Sequence, residues 1–530
     1  MSGTGIERHR ISIRLIVLIF VLLHGVFLLE IYPDLVRLAR QSSVGIADLW
    51  QALEGSAAMA RSSGTTISRA YNMLVSMVLT SIALAIPLTA NMYTPKLIEI
   101  FIKDRVNIAV LTFFVISSAQ AIWSTQATWD QGLLKAQGGV YPRIAVWISF
   151  EAITLGWSIL IPYFYYVFRF LNPVNIIDRV TETLLQEFDE VLVGRGDIER
   201  HKGQLAQKIL HLGNVILRAV DRADRDVSLD AIRALKGVVI RYQHLKERFP
   251  PAWFAVEEEL FVGCSHEAVR FINEERIWVE HKCLHQLLLA YNASLAKMPD
   301  AISAISDVNR IIALNAESQA DLAGLRLGIR FFNTFLREAV KRKDVHAIFD
   351  IFHQYKELAR DLLAYHPALA LEIGRYLKYY ADFARTSGLS FIYELGAYEL
   401  GSIVEWAYQR EAGSRRELLE ILLGFDLPGS ARLVKAKAIL GGFFTERGFE
   451  AERELLRRNV AAAPAGAIEQ ARADLLGTKD SIFWEVTDRQ VNVDYVDEVR
   501  KRSVAAFLED AAKRPPAEAP QAVAGSAPAR

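Results

Sequence analysis

Four apolar stretches in the N-terminal third of the chain are each long enough to cross a bilayer as a helix. A hydrocarbon core of ~30 Å takes about 20 apolar residues in helical form. The stretches fall at about residues 11–31, 72–93, 107–125 and 144–168. The first follows Arg8, Arg10 and Arg14, as the apolar part of a secretory leader would. Glu30, Tyr32 and Pro33 stand where a small-residue cleavage site belongs, so it reads as a retained anchor.

Basic residues near the helix ends set the expected orientation. Arg8, Arg10 and Arg14 precede the first segment, Lys96, Lys103 and Arg105 sit between the second and third, and Arg169 and Arg179 follow the fourth. The loop after the third segment has only Lys135 and Arg143. This distribution predicts an inner-membrane, multi-pass protein with both termini in the cytoplasm. Tyr93, Trp123, Trp129, Tyr141 and Tyr163 lie near segment ends, where aromatic rings favour the interface. Residues Ile46 to Met59 form an amphipathic pattern suited to an external helix on the membrane surface.

Two ionisable residues fall within the apolar segments: His24 in the first and Glu151 in the fourth. At ~1.5 Å rise per residue, both lie on the order of 10 Å below the outer surface. Ser117 and Gln120 of the third segment reach a similar depth, so the four residues can form an intramembrane polar belt. A charge at that depth costs at least ~2–3 kcal/mol unless paired. Two readings fit: a proton or ion relay centred on Glu151, and polar glue between helices.

Pro95 suits a helix start, and Leu97, Ile98, Phe101 and Ile102 form one apolar face beside Lys96, Lys103, Asp104 and Arg105. An elbow helix in the inner interface satisfies all of them.

From Asn172 the pattern is helical almost throughout, divided into a membrane-proximal region (171–250), a C-terminal helical domain (251–512) and a Pro- and Ala-rich disordered tail (513–530). Leu205, Ile209, Leu212, Ile216 and Val220 make one apolar stripe, and Leu369, Ile373, Leu377 and Tyr380 make another. Ser228 reads as a helix N-cap, and Pro250–Pro251 as a break. Val486, Val491, Val493 and Tyr495 predict a short strand. The fold class is therefore all-α: a four-helix transmembrane domain and a large helical domain, arranged either as an α-solenoid or irregularly.

Chemistry-bearing motifs are sparse. His281 and His285 share a helix face at a spacing that can hold zinc, with Cys264 or Glu280 as further ligands, but paired-cysteine spacing is lacking. There is no phosphate-binding loop, dinucleotide fingerprint, zincin helix or nucleophile elbow, so no cofactor is expected. Two cysteines, Cys264 and Cys283, make no disulfide framework. With 61 basic and 61 acidic side chains, the charge balance gives no footing for nucleic acid.

Several short segments carry a family resemblance. Residues 92–105, Met-Tyr-Thr-Pro-Lys-Leu-Ile-Glu-Ile-Phe-Ile-Lys-Asp-Arg, resemble a Ser-Pro-Arg-Leu and Phe-Leu-Arg-Asp-Arg pattern set between two membrane helices. Tyr141-Pro142-Arg143 is similar to a Val-Pro-Arg element, and Asn175-Ile176-Ile177-Asp178-Arg179 to an Asn-Ile-Ile-x-Arg element. Leu217-Arg218-Ala219-Val220 resembles a Leu-Arg-Ala-Leu run. These patterns belong to an uncharacterised bacterial family of predicted membrane proteins carrying domain of unknown function 2254. The likeness covers roughly residues 70–235 and departs at Arg225-Asp226-Val227, where that family has Asn-Asp-Pro. It implies the membrane topology and brings no activity with it.

The sequence thus predicts a non-enzymatic scaffold: a homo-oligomer held in the lipid bilayer that recruits a cytoplasmic protein partner through its helical domain. The alternative is a homo-oligomeric ion or proton channel or transporter using Glu151, His24 and Gln120.

Overall fold

A computed structural model describes residues 15–26, 57–92, 96–127, 140–426, 428–482 and 492–513. The chain divides into two compact units, Met1–Val180 and Thr181–Arg530.

The first unit holds α1 (Leu15–Val26), α2 (Ala57–Met92), α3 (Lys96–Lys103), α4 (Arg105–Ala127) and α5 (Val140–Leu171). Three spans are long and apolar enough to cross a membrane: Ser68–Thr89, Arg105–Trp123 and Ile148–Leu171. The described part of the first segment, α1, is apolar but shorter than a crossing. Its flanks lie outside the described residues, as do most of the amphipathic stretch 46–59 and Pro95. Helix α2 is 36 residues long and starts at Ala57, so Ala57–Met59 belong to the membrane helix itself.

Packing in this unit follows the 3.6-residue period. Tyr71, Val75, Val78, Ile82 and Ile86 form the buried face of α2, while Met73, Met77, Leu84 and Leu88 point outward. An exposed apolar face is what lipid solvates, so polar contacts hold the inner faces together. The Ser68 hydroxyl donates to the Ala121 carbonyl at 3.1 Å, and Ser118 donates to the Asn72 side-chain oxygen.

Helix α6 (Pro173–Leu192) contains the boundary between the units. The second unit continues with α7 (Ile198–Asp221), α8 (Arg225–Leu245) and three 3-10 turns between Lys246 and Phe261. Then come α9 (His266–Glu274), α10 (Trp278–Ser294), α11 (Pro299–Ser318) and α12 (Leu322–Arg342). Next are α13 (Val345–Leu362), α14 (Pro367–Thr386), α15 (Ser390–Gln409) and α16 (Arg415–Leu423). The last four are α17 (Ala431–Arg447), α18 (Glu450–Ala461), α19 (Ala465–Gly477) and α20 (Glu498–Lys513).

Alternate helices pack on one another. Helices α8, α11, α13, α15 and α17 form one row, and α7, α10, α12, α14 and α16 form the other. Both predicted apolar stripes, on α7 and α14, are buried. The start of α8 differs from expectation. Its N-cap is Asp224, whose side chain accepts from the Val227 N–H, and Ser228 sits buried inside the first turn, donating to the Arg225 carbonyl at 2.8 Å. Either residue type caps well, and Asp224 takes the position because its backbone is extended. Val493 and Tyr495 form no strand; Val493 lies in a turn, and Val486 and Val491 fall outside the described residues.

The final helix closes against α17, where a Cβ on Gly441 would lie 2.6 Å from the Phe507 ring. Gly441→Ala should therefore destabilise the protein by about 1–3 kcal/mol through overpacking, despite the gain in helix propensity. Tryptophan-monitored unfolding of the full chain checks this, and an unchanged or raised midpoint would contradict the close approach.

Candidate functional site: an intramembrane ion pair and a Glu/His cluster

Of the four residues expected in the polar belt, two meet. His24 Nε2 lies 3.2 Å from one Glu151 carboxylate oxygen and 3.4 Å from the other. His24 Nδ1 lies 2.9 Å from the Phe20 carbonyl, which can only accept, so Nδ1 carries a proton. A hydrogen bond between Nε2 and the carboxyl group takes a second proton, held by either partner, as imidazolium with carboxylate or as neutral imidazole with carboxylic acid. Beside it opens a cleft of 280 Å³ lined by Leu23, His24, Phe150, Thr154 and Trp157. The Glu151 side chain is 50% exposed on the single chain, and that of His24 27%.

Ser117 and Gln120 are engaged elsewhere. The Ser117 hydroxyl pairs with the Tyr71 hydroxyl at 2.8 Å, and the main-chain oxygen of Gln120 accepts from Ser149 at 3.4 Å. These contacts tie α4 to α2 and to α5.

The expected elbow is helix α3. Lys96 opens it, Phe101 is buried, and Ile98, Ile102, Lys103 and Arg105 are exposed. Phe101 packs edge-on to Phe170 with ring centroids 5.2 Å apart. Asp104 stands between α3 and α4 and caps the latter, its Oδ1 accepting from the Val106 N–H at 3.0 Å and the Asn107 N–H at 3.2 Å. Its other oxygen faces the Arg179 guanidinium at 3.9 Å, and that guanidinium lies over the Phe170 ring at 4.2 Å. Two of the family-like segments, far apart in sequence, thus meet at Asp104 and Arg179.

A further cluster escaped the sequence reading. Glu187 and Glu190 project from α6, the helix that begins two residues after α5 ends, and His201 from α7. Candidate ligand atoms of the three all lie within 4.8 Å of one another, the one such group of three among the described residues. His201 Nδ1 is 2.5 Å from Glu187 Oε2 and 3.9 Å from Glu190 Oε2, while Nε2 donates to the Arg195 carbonyl at 2.8 Å. Gly196 makes this approach possible: its φ is +79°, and a Cβ there would lie 2.7 Å from His201 Nε2. Lys208 bonds the remaining Glu187 oxygen.

The Arg195 carbonyl holds the Nε2–H, so Nδ1 faces two carboxylates and needs a positive centre between them. A proton supplies it, and so can a divalent cation, with the Arg195 hydrogen bond orienting the ring as an outer-shell partner does in metal sites. The hydrogen bond to Glu187 raises the His201 pKa against the opposing effect of burial. Burial works against the Glu187 carboxylate, but Lys208 and His201 outweigh it and lower its pKa.

Among the described residues, His281 and His285 gather no third ligand. Their rings lie parallel, 6.4 Å apart; Cys283 is buried, Cys264 is exposed, and Glu280 is bonded to Lys246 at 2.8 Å.

Three membrane-length helices, a His–Glu contact among the apolar segments and, in the second unit, a Glu/His cluster able to chelate a metal mark an integral membrane protein. More particularly, residues 11–223 match the family described as Predicted membrane protein (DUF2254). The matched region includes the first apolar segment and stops just short of Arg225-Asp226-Val227. No curated protein matches the chain. No solved structure matches it either.

A histidine whose folded pKa is raised above ~6.5 contributes stability that is complete below that value and is lost as pH rises through the folded pKa. The melting temperature of the full-length protein should therefore fall relative to His201→Gln as pH rises above ~6.5. A constant difference between the two across pH 6 to 9 would show that the His201–Glu187 pair has no titrating role.

Proposed function

We propose that the chain forms a homo-oligomeric proton or cation channel or transporter whose path passes the Glu151–His24 pair. One observation carries this reading: Glu151 is half exposed on a surface otherwise made for lipid, with His24 as its ionisable partner. An ionised side chain facing hydrocarbon costs at least ~2.5–3.5 kcal/mol. Covering that face with a second copy, or lining an aqueous path with it, removes the cost, and a polar path at a subunit interface does both. The shared proton gives the pair a means of relaying charge without moving the helices.

The Glu187–Glu190–His201 cluster supports the same reading as a cation-responsive element near the end of the path in sequence. With basic residues inside, both termini and the helical unit face the cytoplasm of a cell bounded by the inner membrane. Stacked helix rows such as those of the second unit also suit a solenoid that recruits a partner. That scaffold role rests on the array alone, whereas the charged pair calls for a membrane activity.

Proteoliposomes containing the full-length protein test the proposal. Wild type should dissipate an imposed proton or monovalent-cation gradient, and Glu151→Gln should slow that flux at least tenfold. Wild-type liposomes as tight as empty ones across both gradients would overturn it.

A further inference from the structure

We propose that the cleft between α9, α10 and α12 is a binding site for a small aromatic monocarboxylate. It lies in the helical unit, is independent of the membrane pair, and measures 310 Å³, at the lower end of ordinary small-ligand pockets. Its walls are apolar and partly aromatic: Phe271 and Ile272 from α9, Leu288 from α10, Leu327 and Phe331 from α12. A flat ring fits such walls, and the parallel His281 and His285 rings extend them.

Two polar features make the cleft selective. Arg330 lines it, its guanidinium lying over the Phe271 ring at 4.5 Å, and it forms no ion pair with a carboxylate among the described residues. Glu372 lines a neighbouring cleft that Arg326 and Arg330 also border, and its carboxylate accepts from the Tyr376 hydroxyl at 2.8 Å. A planar guanidinium at the rim of an apolar slot matches a carboxylate in bidentate geometry. The second feature is His281 Nδ1, which is buried without a hydrogen-bond partner. An unsatisfied buried polar atom is costly, and a ligand hydroxyl offers it a partner.

Charge fits the same ligand. Burial, then His285 and Lys282, push the His281 pKa down to about 4, so its imidazole is neutral at pH 7 and serves as a hydrogen-bonding wall. Burial and Lys282 lower His285 likewise. Among the described residues no third ligand joins the two histidines, which disfavours a metal ion. Inorganic phosphate is a poor match for the apolar walls.

The probe is 4-hydroxybenzoate, titrated calorimetrically into the full-length protein in detergent, with 4-hydroxybenzamide and inorganic phosphate as comparisons and empty micelles as the blank. Saturable binding at one site per chain is expected, weakened at least tenfold for the amide and for phosphate. Arg330→Gln, at an exposed position, should weaken it at least tenfold with an unchanged melting temperature, and Ala268→Trp, which fills the cleft, should abolish it. Equal binding of acid and amide, affinity unchanged in both variants, or no saturable binding would overturn the assignment.

Discussion

A carboxylic acid and an imidazole among apolar membrane helices are costly unless each has a partner, and on the proposed reading their open side meets a polar path. The contact between Glu151 and His24 therefore constrains the membrane unit more than any apolar contact does. It joins the first apolar segment to the last, across 127 positions of sequence. Around it the helices are held by small polar contacts such as Ser68 to Ala121 and Ser117 to Tyr71. In hydrocarbon these hydrogen bonds compete with no water, so they fix helix neighbours where apolar packing alone is permissive.

The second organising contact is at Asp104. One carboxylate caps α4 and faces Arg179, which covers Phe170, against which Phe101 of α3 packs. Elbow helix, membrane helices and the start of α6 are joined through four side chains. This gives a physical reason for the Lys-Asp-Arg and Asn-Ile-Ile-x-Arg segments to occur together: each supplies one half of a single junction. It also explains how short motifs with no catalytic content can mark a family.

Much of this architecture was legible in the sequence because apolar periodicity reports burial directly. The stripes from Leu205 to Val220 and from Leu369 to Tyr380 needed nothing else. The short helix Lys96–Lys103 was legible because an apolar face and flanking charges occur within one short run. Contacts between distant segments were less legible. Shared depth brought His24 and Glu151 together, but the same criterion added Ser117 and Gln120, because depth says nothing about which way a side chain turns around its helix. Glu187, Glu190 and His201 were missed for a related reason. Each looks like an ordinary charged residue on its own helix, and only the turn through Gly194 and Gly196 folds them together. The two glycines after α6 were the one local signal. The buried pair Lys246 and Glu280, with half-buried Asp321 2.5 Å from Lys246, was equally hidden among surface-like charges.

The central claim is that the open side of Glu151 meets a polar path. Cysteine accessibility tests it most directly: Glu151→Cys in a chain also carrying Cys264→Ser, so that the remaining native thiol, Cys283, is buried. In sealed proteoliposomes a charged, water-soluble thiosulfonate should label residue 151, with Met77→Cys, on the outward apolar face of α2, as the lipid-facing control. Labelling of 151 with sparing of 77 is the predicted result. A residue 151 that reacts with a lipid-soluble maleimide and stays untouched by the charged reagent would place Glu151 against hydrocarbon or a dry interface and contradict the account.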